Sequence, residues 1–230
     1  MLDVGCAAGG LCDALVERFG TLESYTGVDI NRHAIEVGAK HDSQTRPKKR
    51  FVVADICNCN ELAGQTFALV TVLGVADWNV DARGIVAQCW EHVRPNGYLV
   101  ISLRLTPNRT TCDIARSFQY IWFEASPPPT DAERAPYHVF NLSEAVAWLA
   151  GQAPQPESLY VYGYWGKPSA MARTPYDRLL FSVIAMRKPG APTPGAEPQI
   201  EMHLPASGFR TMSADNPLSS HPGAMPRSRQ

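Results

Sequence analysis

The first residues of the chain can hold a ligand by their backbone. Asp3-Val4-Gly5-Cys6-Ala7-Ala8-Gly9-Gly10-Leu11 ends a strand, turns on small residues and starts a helix. Small side chains let a ligand approach the main chain closely, and a helix start presents free N–H donors. Asp29 lies at the tip of a second strand, where a carboxylate can accept two hydrogen bonds from a ribose diol. Asp55, at the tip of a third strand, reaches further along the same edge. Ligands of open α/β sheets bind beyond the carboxyl ends of the strands, near the switch point.

A second group of residues falls on the same edge. Asp77 and Trp78 follow a fourth strand, Arg104 and Thr106 close a fifth, and Tyr164, Trp165 and Lys167 close a sixth. Asp77 reads either as a catalytic carboxylate or as the cap of the next segment. His138 is either a base or a loop histidine with no special duty. Arg104 and Lys167 can together hold a carboxylate or phosphate, or each can pair with a local acid such as Glu124 or Asp177. Tyr160, Tyr162 and Tyr164 share one strand face, as pocket or as sheet packing, with Val161 and Trp165 opposite.

The elements that position these residues follow from periodicity. Strands are expected at Met1–Cys6, Tyr25–Ile30, Phe51–Ala54, Phe67–Leu73 and Tyr98–Leu105. Helices separate them: Leu11, Leu15 and Phe19 mark one, Asn31 caps another, and Ile85, Val86, Cys89, Trp90 and Val93 mark a third before Pro95-Asn96-Gly97. Alternation of this kind gives a doubly wound, mostly parallel sheet with helices on both faces. Residues 106–142 form a long insert, expected to fold over the edge as a lid carrying Arg109, Tyr137 and His138. Within it, Thr110-x-x-Asp113 starts a helix through Ile114, Phe118, Ile121 and Trp122, broken at Ser126-Pro127-Pro128-Pro129. Phe118, Tyr120, Trp122 and Phe123 are read as its packed aromatics. Ser143 caps a further helix. Leu159–Trp165 and Leu179–Met186 have no helix between them and pair most simply as antiparallel neighbours. Residues 189–230 are punctuated by proline, cannot offset their ordering entropy by burial, and are expected to be disordered.

DVGCAAGGL, GVDI, VVADI and FALVTVLGVADW, in that order, resemble the successive motifs of the class I S-adenosylmethionine-dependent methyltransferase superfamily. The resemblance runs from Met1 to about Lys188 and implies a seven-stranded sheet with its last strand antiparallel. It implies that the turn Gly5–Gly9, with Cys6 and Ala7, holds the methionine part of S-adenosylmethionine, and that Asp3 supports the turn and the amino group. Asp29 would bind the ribose with Ile30 beside the adenine. Asp55 would bind the adenine amino group, backed by Ile56, with Leu73 and Gly74 on the cofactor's other side. The family usually has Gly where Ala7 stands. It also carries helices before its first strand; here Met1 already stands in the strand. The chain is therefore expected to be a fragment or to start late, and to be less stable or more prone to associate than a version extended upstream.

Composition bounds the partners. With 230 residues and a formal net charge of −1, no global field draws the chain to nucleic acid or an anionic membrane. The basic run Arg46, Lys48, Lys49, Arg50 reads as a solvated loop before a strand. No residue spacing suits a metal, and Cys57-Asn58-Cys59 is too tight for a zinc knuckle. The six cysteines show no framework spacing, so a reduced cytoplasmic setting is expected. The leading expectation is methyl transfer to a small-molecule acceptor, its anionic group held by Arg104 and Lys167. A cofactor-binding protein without turnover and a nicotinamide-dependent oxidoreductase are the alternatives, although G-x-x-x-G-G departs from G-x-G-x-x-G.

Overall fold

The computed structural model describes residues 1–40, 47–122, 127–191 and 195–205. Strands and helices alternate through the first half: β1 (Leu2–Val4), α1 (Gly10–Phe19), β2 (Ser24–Asp29), α2 (Arg32–Lys40), β3 (Lys48–Val53), β4 (Phe67–Val72), α3 (Ala82–Glu91) and β5 (Val93–Thr106). Asn31 caps α2 by accepting from the Ala34 N–H (3.1 Å), and Asp81 caps α3 through the Gly84 N–H (2.8 Å). The second half adds β6 (Phe118–Tyr120), β7 (Arg134–Pro136), β8 (Phe140–Asn141), α4 (Leu142–Ala150), β9 (Ser158–Gly166), β10 (Ala172–Arg173), β11 (Leu179–Arg187) and β12 (Gln199–His203).

The main sheet runs β12-β9-β11-β5-β4-β1-β2-β3, with β8 paired to the end of β5. Its pairs are parallel except where β11 lies antiparallel to β5 and β9. The sheet has nine strands rather than the expected seven, because β8 and β12 extend it. The pleat sorts the core. Leu2, Val4, Val28, Val70 and Val72 face α3 and α4, while Met1, Tyr25 and Phe51 face α1 and α2. The switch point lies between β1 and β4, so the carboxyl ends of β1, β2 and β3 form one half of the ligand edge and those of β4 and β5 the other.

Four expectations need correction. The insert is not helical at Phe118: the N–H groups of Arg116 and Ser117 bond to the Asp113 carbonyl (2.9 and 2.8 Å), which makes one turn only. Phe118–Tyr120 then pairs with β7 and β10 in a separate three-stranded sheet. Thr110 cannot cap there, since its hydroxyl bonds Glu144 and accepts from the Asn141 N–H. Helix α4 is capped by Asn141, which accepts from Glu144 N–H (3.1 Å), not by Ser143. Within the proline-rich segment, Gln199–His203 forms β12 against β9, where disorder was expected. Backbone pairing, not burial, holds it, since its side chains are all exposed. Lys48–Arg50 belongs to β3, with Lys49 paired to Asp13 and Arg50 to Glu61. Arg46, Phe123, Glu124, Ser126 and residues 206–230 lie outside the described residues. No helix among the described residues is long and apolar enough to cross a membrane.

Candidate active site

The glycine turn leaves β1 with the Gly5 N–H bonded to the Val28 carbonyl (2.8 Å). Gly5 has φ +73°, and a Cβ there would stand 2.1 Å from Val75 Cγ2, so both conformation and space demand glycine. Ala7 also sits at positive φ (46°), a conformation that glycine adopts more readily. The Ala7 N–H donates to Asp29 Oδ2 and the Asn31 N–H to Asp29 Oδ1, both at 2.8 Å. Each oxygen keeps a second lone pair, so the carboxylate is oriented yet still able to accept from a diol. Asp55 is fixed likewise by Cys57 N–H (3.0 Å) and Asn58 Nδ2 (3.3 Å).

A cavity of about 280 Å³ follows these tips, lined by Gly5, Asp29, Ile30, Asp55, Ile56 and Gly74. Ile30 is 74% exposed, an apolar side chain placed in the open beside two acids. The other expected cofactor residues stand behind this surface. Asp3 is buried, accepting from Tyr25 Oη (2.8 Å) and Thr71 Oγ1 (2.7 Å); burial raises its carboxyl above the ordinary range, against those two bonds. Cys6 lies under the turn, its thiol pushed up to about 12 by burial, then by Asp3 and Asp29, and is inert as a nucleophile. Ala7, Gly9 and Leu73 shape the turn and the end of β4 without lining the cavity.

A larger cavity of about 840 Å³ adjoins the first and shares Gly74 and Trp78 with it. Its floor follows from register. Leu69, on the α1 face, pairs with Tyr98, so Ser102 and Arg104 share that face. Ser102 is in register with Val183, Tyr162 and His203, and Arg104 with Phe181 and Tyr164, giving two rows across the β5–β11–β9 half of the sheet. Tyr164 stacks on Phe181 (5.7 Å between centroids, 23° between planes) and Tyr162 on His203 (4.8 Å, 5°). Gln119 and Tyr137 of the insert add a wall.

Asp77 and Arg104, assigned separately to catalysis and substrate, form one buried ion pair. Arg104 Nε meets Asp77 Oδ2 at 2.7 Å, and both side chains are 4% exposed. The Arg104 backbone N–H reaches the same oxygen (3.0 Å), its Nη2 reaches the Asp77 carbonyl (2.7 Å), and its guanidinium lies 3.6 Å from the Tyr137 ring centroid. Neither Glu124 nor Asp177 is needed as its partner. Lys167 and Tyr164 line the cavity; Trp165 turns to the other face and packs on the main core. His138 is buried behind the pair, with its backbone N–H on the Asp77 carbonyl (2.9 Å). Burial, then Arg104, lowers its imidazole below the ordinary range, so it stands neutral near pH 7. Residues the sequence reading missed are Val75, Asn79, Ser102, Gln119, Phe181 and His203. Strand alternation with Arg104 could have found Ser102, whose hydroxyl accepts from the Gly74 N–H (2.7 Å). Gln119 and His203 sit in segments whose structure was misjudged.

Residues 1–97 match the family model described as a methyltransferase domain. The ubiquinone biosynthesis O-methyltransferase of Photobacterium profundum is 26% identical over 102 residues, 44% of this chain and 42% of that protein. The protein of the same name from Vibrio parahaemolyticus is 28% identical over 103 residues, again 44% and 42% of the two chains. The chain thus spans less than half the length of these curated relatives. Among solved structures, an S-adenosylmethionine-dependent methyltransferase from Clostridium acetobutylicum aligns with a TM-score of 0.50 at 14% identity, covering 82% of this chain and 83% of that one. The glycopeptide N-methyltransferase MtfA, complexed with S-adenosyl-L-methionine, aligns with a TM-score of 0.51 at 16% identity, covering 82% and 86%. The fold is that of the class I, Rossmann-like methyltransferases, and residues 1–97 are similar to a methyltransferase domain.

Proposed function

We propose that this chain binds S-adenosylmethionine across the tips of β1, β2 and β3 and transfers its methyl group to a small molecule in the larger cavity. The observation that carries the reading is the junction of the two cavities, which meet at Gly74 and Trp78. A nucleoside in the smaller one has Asp29 for its ribose, Ile30 for a base face and Asp55 for an exocyclic amine. The residues present fit the cofactor, since an oriented carboxylate and a bare isoleucine beside it match a sugar and an adenine. When bound, the cofactor supplies an electrophilic methyl carbon on a sulfonium. The chain's own work is to hold the acceptor in line with that carbon and to exclude water. A volume of about 840 Å³ suits a small-molecule acceptor, and the names of the curated relatives support one.

The turn keeps its shape despite the alanine at position 7, because Asp29 pins that residue's N–H. This favours a working cofactor site over one degraded to binding without turnover. Calorimetry with S-adenosylhomocysteine and NAD side by side tests the reading. We expect heat with the first and none with the second. Asp29→Ala should weaken the first by at least tenfold, since a hydrogen bond to a charged group is worth about 1.5–3 kcal/mol. Preference for NAD would replace the proposal with the oxidoreductase reading, and no heat with either would end it.

A further inference from the structure

We propose that the acceptor is an uncharged flat ring bearing a hydroxyl or amino hydrogen, which it donates to Asp77 Oδ1, and that it is not an anion. This rests on the methyl-transfer reading above and narrows its substrate. Asp77 Oδ2 already accepts twice from Arg104, at 2.7 and 3.0 Å. Asp77 Oδ1 is buried and, among the described residues, has no hydrogen-bond partner, although the residue lines the larger cavity. A buried carboxylate oxygen is costly to leave unpaired, so the site suits a donor that the described residues do not supply. Gln119 Oε1 is a second buried oxygen that, among the described residues, has no partner, and it belongs to the same cavity. Both oxygens can accept from a donor. A carboxylate or phosphate brings none and would face Asp77, gaining only the Lys167 ammonium in the same cavity.

The sequence suggested the opposite, an anion between Arg104 and Lys167. The pairing of Arg104 with Asp77 leaves those two side chains with no net charge. The shape of the ligand follows from the floor. Stacked pairs Tyr164–Phe181 and Tyr162–His203 offer ring faces along two registers of the sheet, which suits a planar partner. The chemistry balances. The acceptor oxygen or nitrogen forms a bond to the methyl carbon, and the carbon–sulfur bond breaks with its electron pair going to sulfur. The acceptor's hydrogen passes to Asp77 Oδ1 as a proton. Sulfonium and carboxylate become thioether and carboxylic acid, so charge is conserved.

Saturation-transfer NMR on the full chain, with and without S-adenosylhomocysteine, tests this with phenol, aniline and benzoate as probes. We expect phenol or aniline to bind at least tenfold more tightly than benzoate. In Asp77→Asn the amide can turn a donor into the cavity while Arg104 keeps its charge. The ranking should then invert in favour of benzoate, an outcome that loss of packing alone would not produce. The variant's fold is checked by thermal melting. If it does not fold, the wild-type ranking decides alone. Benzoate binding as well as the neutral rings in the wild type, or no binding by any probe, would overturn the proposal. Failure of S-adenosylhomocysteine to bind would overturn only the cofactor reading, since the probe ranking is also read without it.

Discussion

Asp77 is held on one side by a guanidinium and left open on the other, and the two halves of that carboxylate can be tested apart. Burying two charges costs several kcal/mol per ion, recovered only while both partners remain. Arg104→Ala and Asp77→Ala should each lower stability by about 3–5 kcal/mol, whereas Asp77→Leu with Arg104→Met should cost less than either single change. Urea unfolding of the variants measures this, and additive losses would contradict the pairing. Arg104→Ala would therefore report on the fold as well as on acceptor binding. The two residues were legible as members of one rim. Their pairing was not, because it depends on how the loop after β4 returns over β5, and sequence periodicity does not encode that path. Asp29 and Asp55 were legible because a residue at a strand tip needs only the strand to be placed correctly.

At the scale of elements, the alternating first half was readable because buried parallel strands and capped helices each leave a local signature. The insert was not. Phe118 and Ile121 mimic helical spacing, yet a single turn at Asp113 and pairing to β7 and β10 take the chain another way. Strand β12 was hidden for a different reason: Ile200, Met202 and Leu204 do alternate with Glu201 and His203, but the run is short, flanked by prolines, and leaves the side chains of the strand exposed. Its contribution should accordingly be local. Ending the chain after residue 198 removes the Tyr162–His203 stack from the cavity floor and touches nothing at the tips of β1 to β3. We expect such a chain to keep its affinity for S-adenosylhomocysteine within about threefold, a change under about 0.7 kcal/mol, while ring probes bind at least fivefold more weakly, about 1 kcal/mol. Equal loss of both would show that β12 supports the whole sheet.

The molecule as a whole divides its labour along the sheet. The half at β1, β2 and β3 is clad by α1 and α2 on the face where Tyr25 and Phe51 lie. On the same face the β5–β11–β9 half leaves Tyr162, Tyr164 and Val183 open to form the floor of the larger cavity. Between the two stands Gly74, at φ +67°, with nothing within 4 Å of where a side chain would begin. On the proposed reading that bare position acts as a doorway, through which one compartment would hand a methyl group to the other. Asparagine tolerates positive φ better than other side-chain-bearing residues, so Gly74→Asn can furnish the doorway without rebuilding the walls. Single-turnover assays against separate titrations of each ligand should then find both rooms still tenanted and the traffic between them stopped, with turnover down by at least a hundredfold, about 2.7 kcal/mol of barrier.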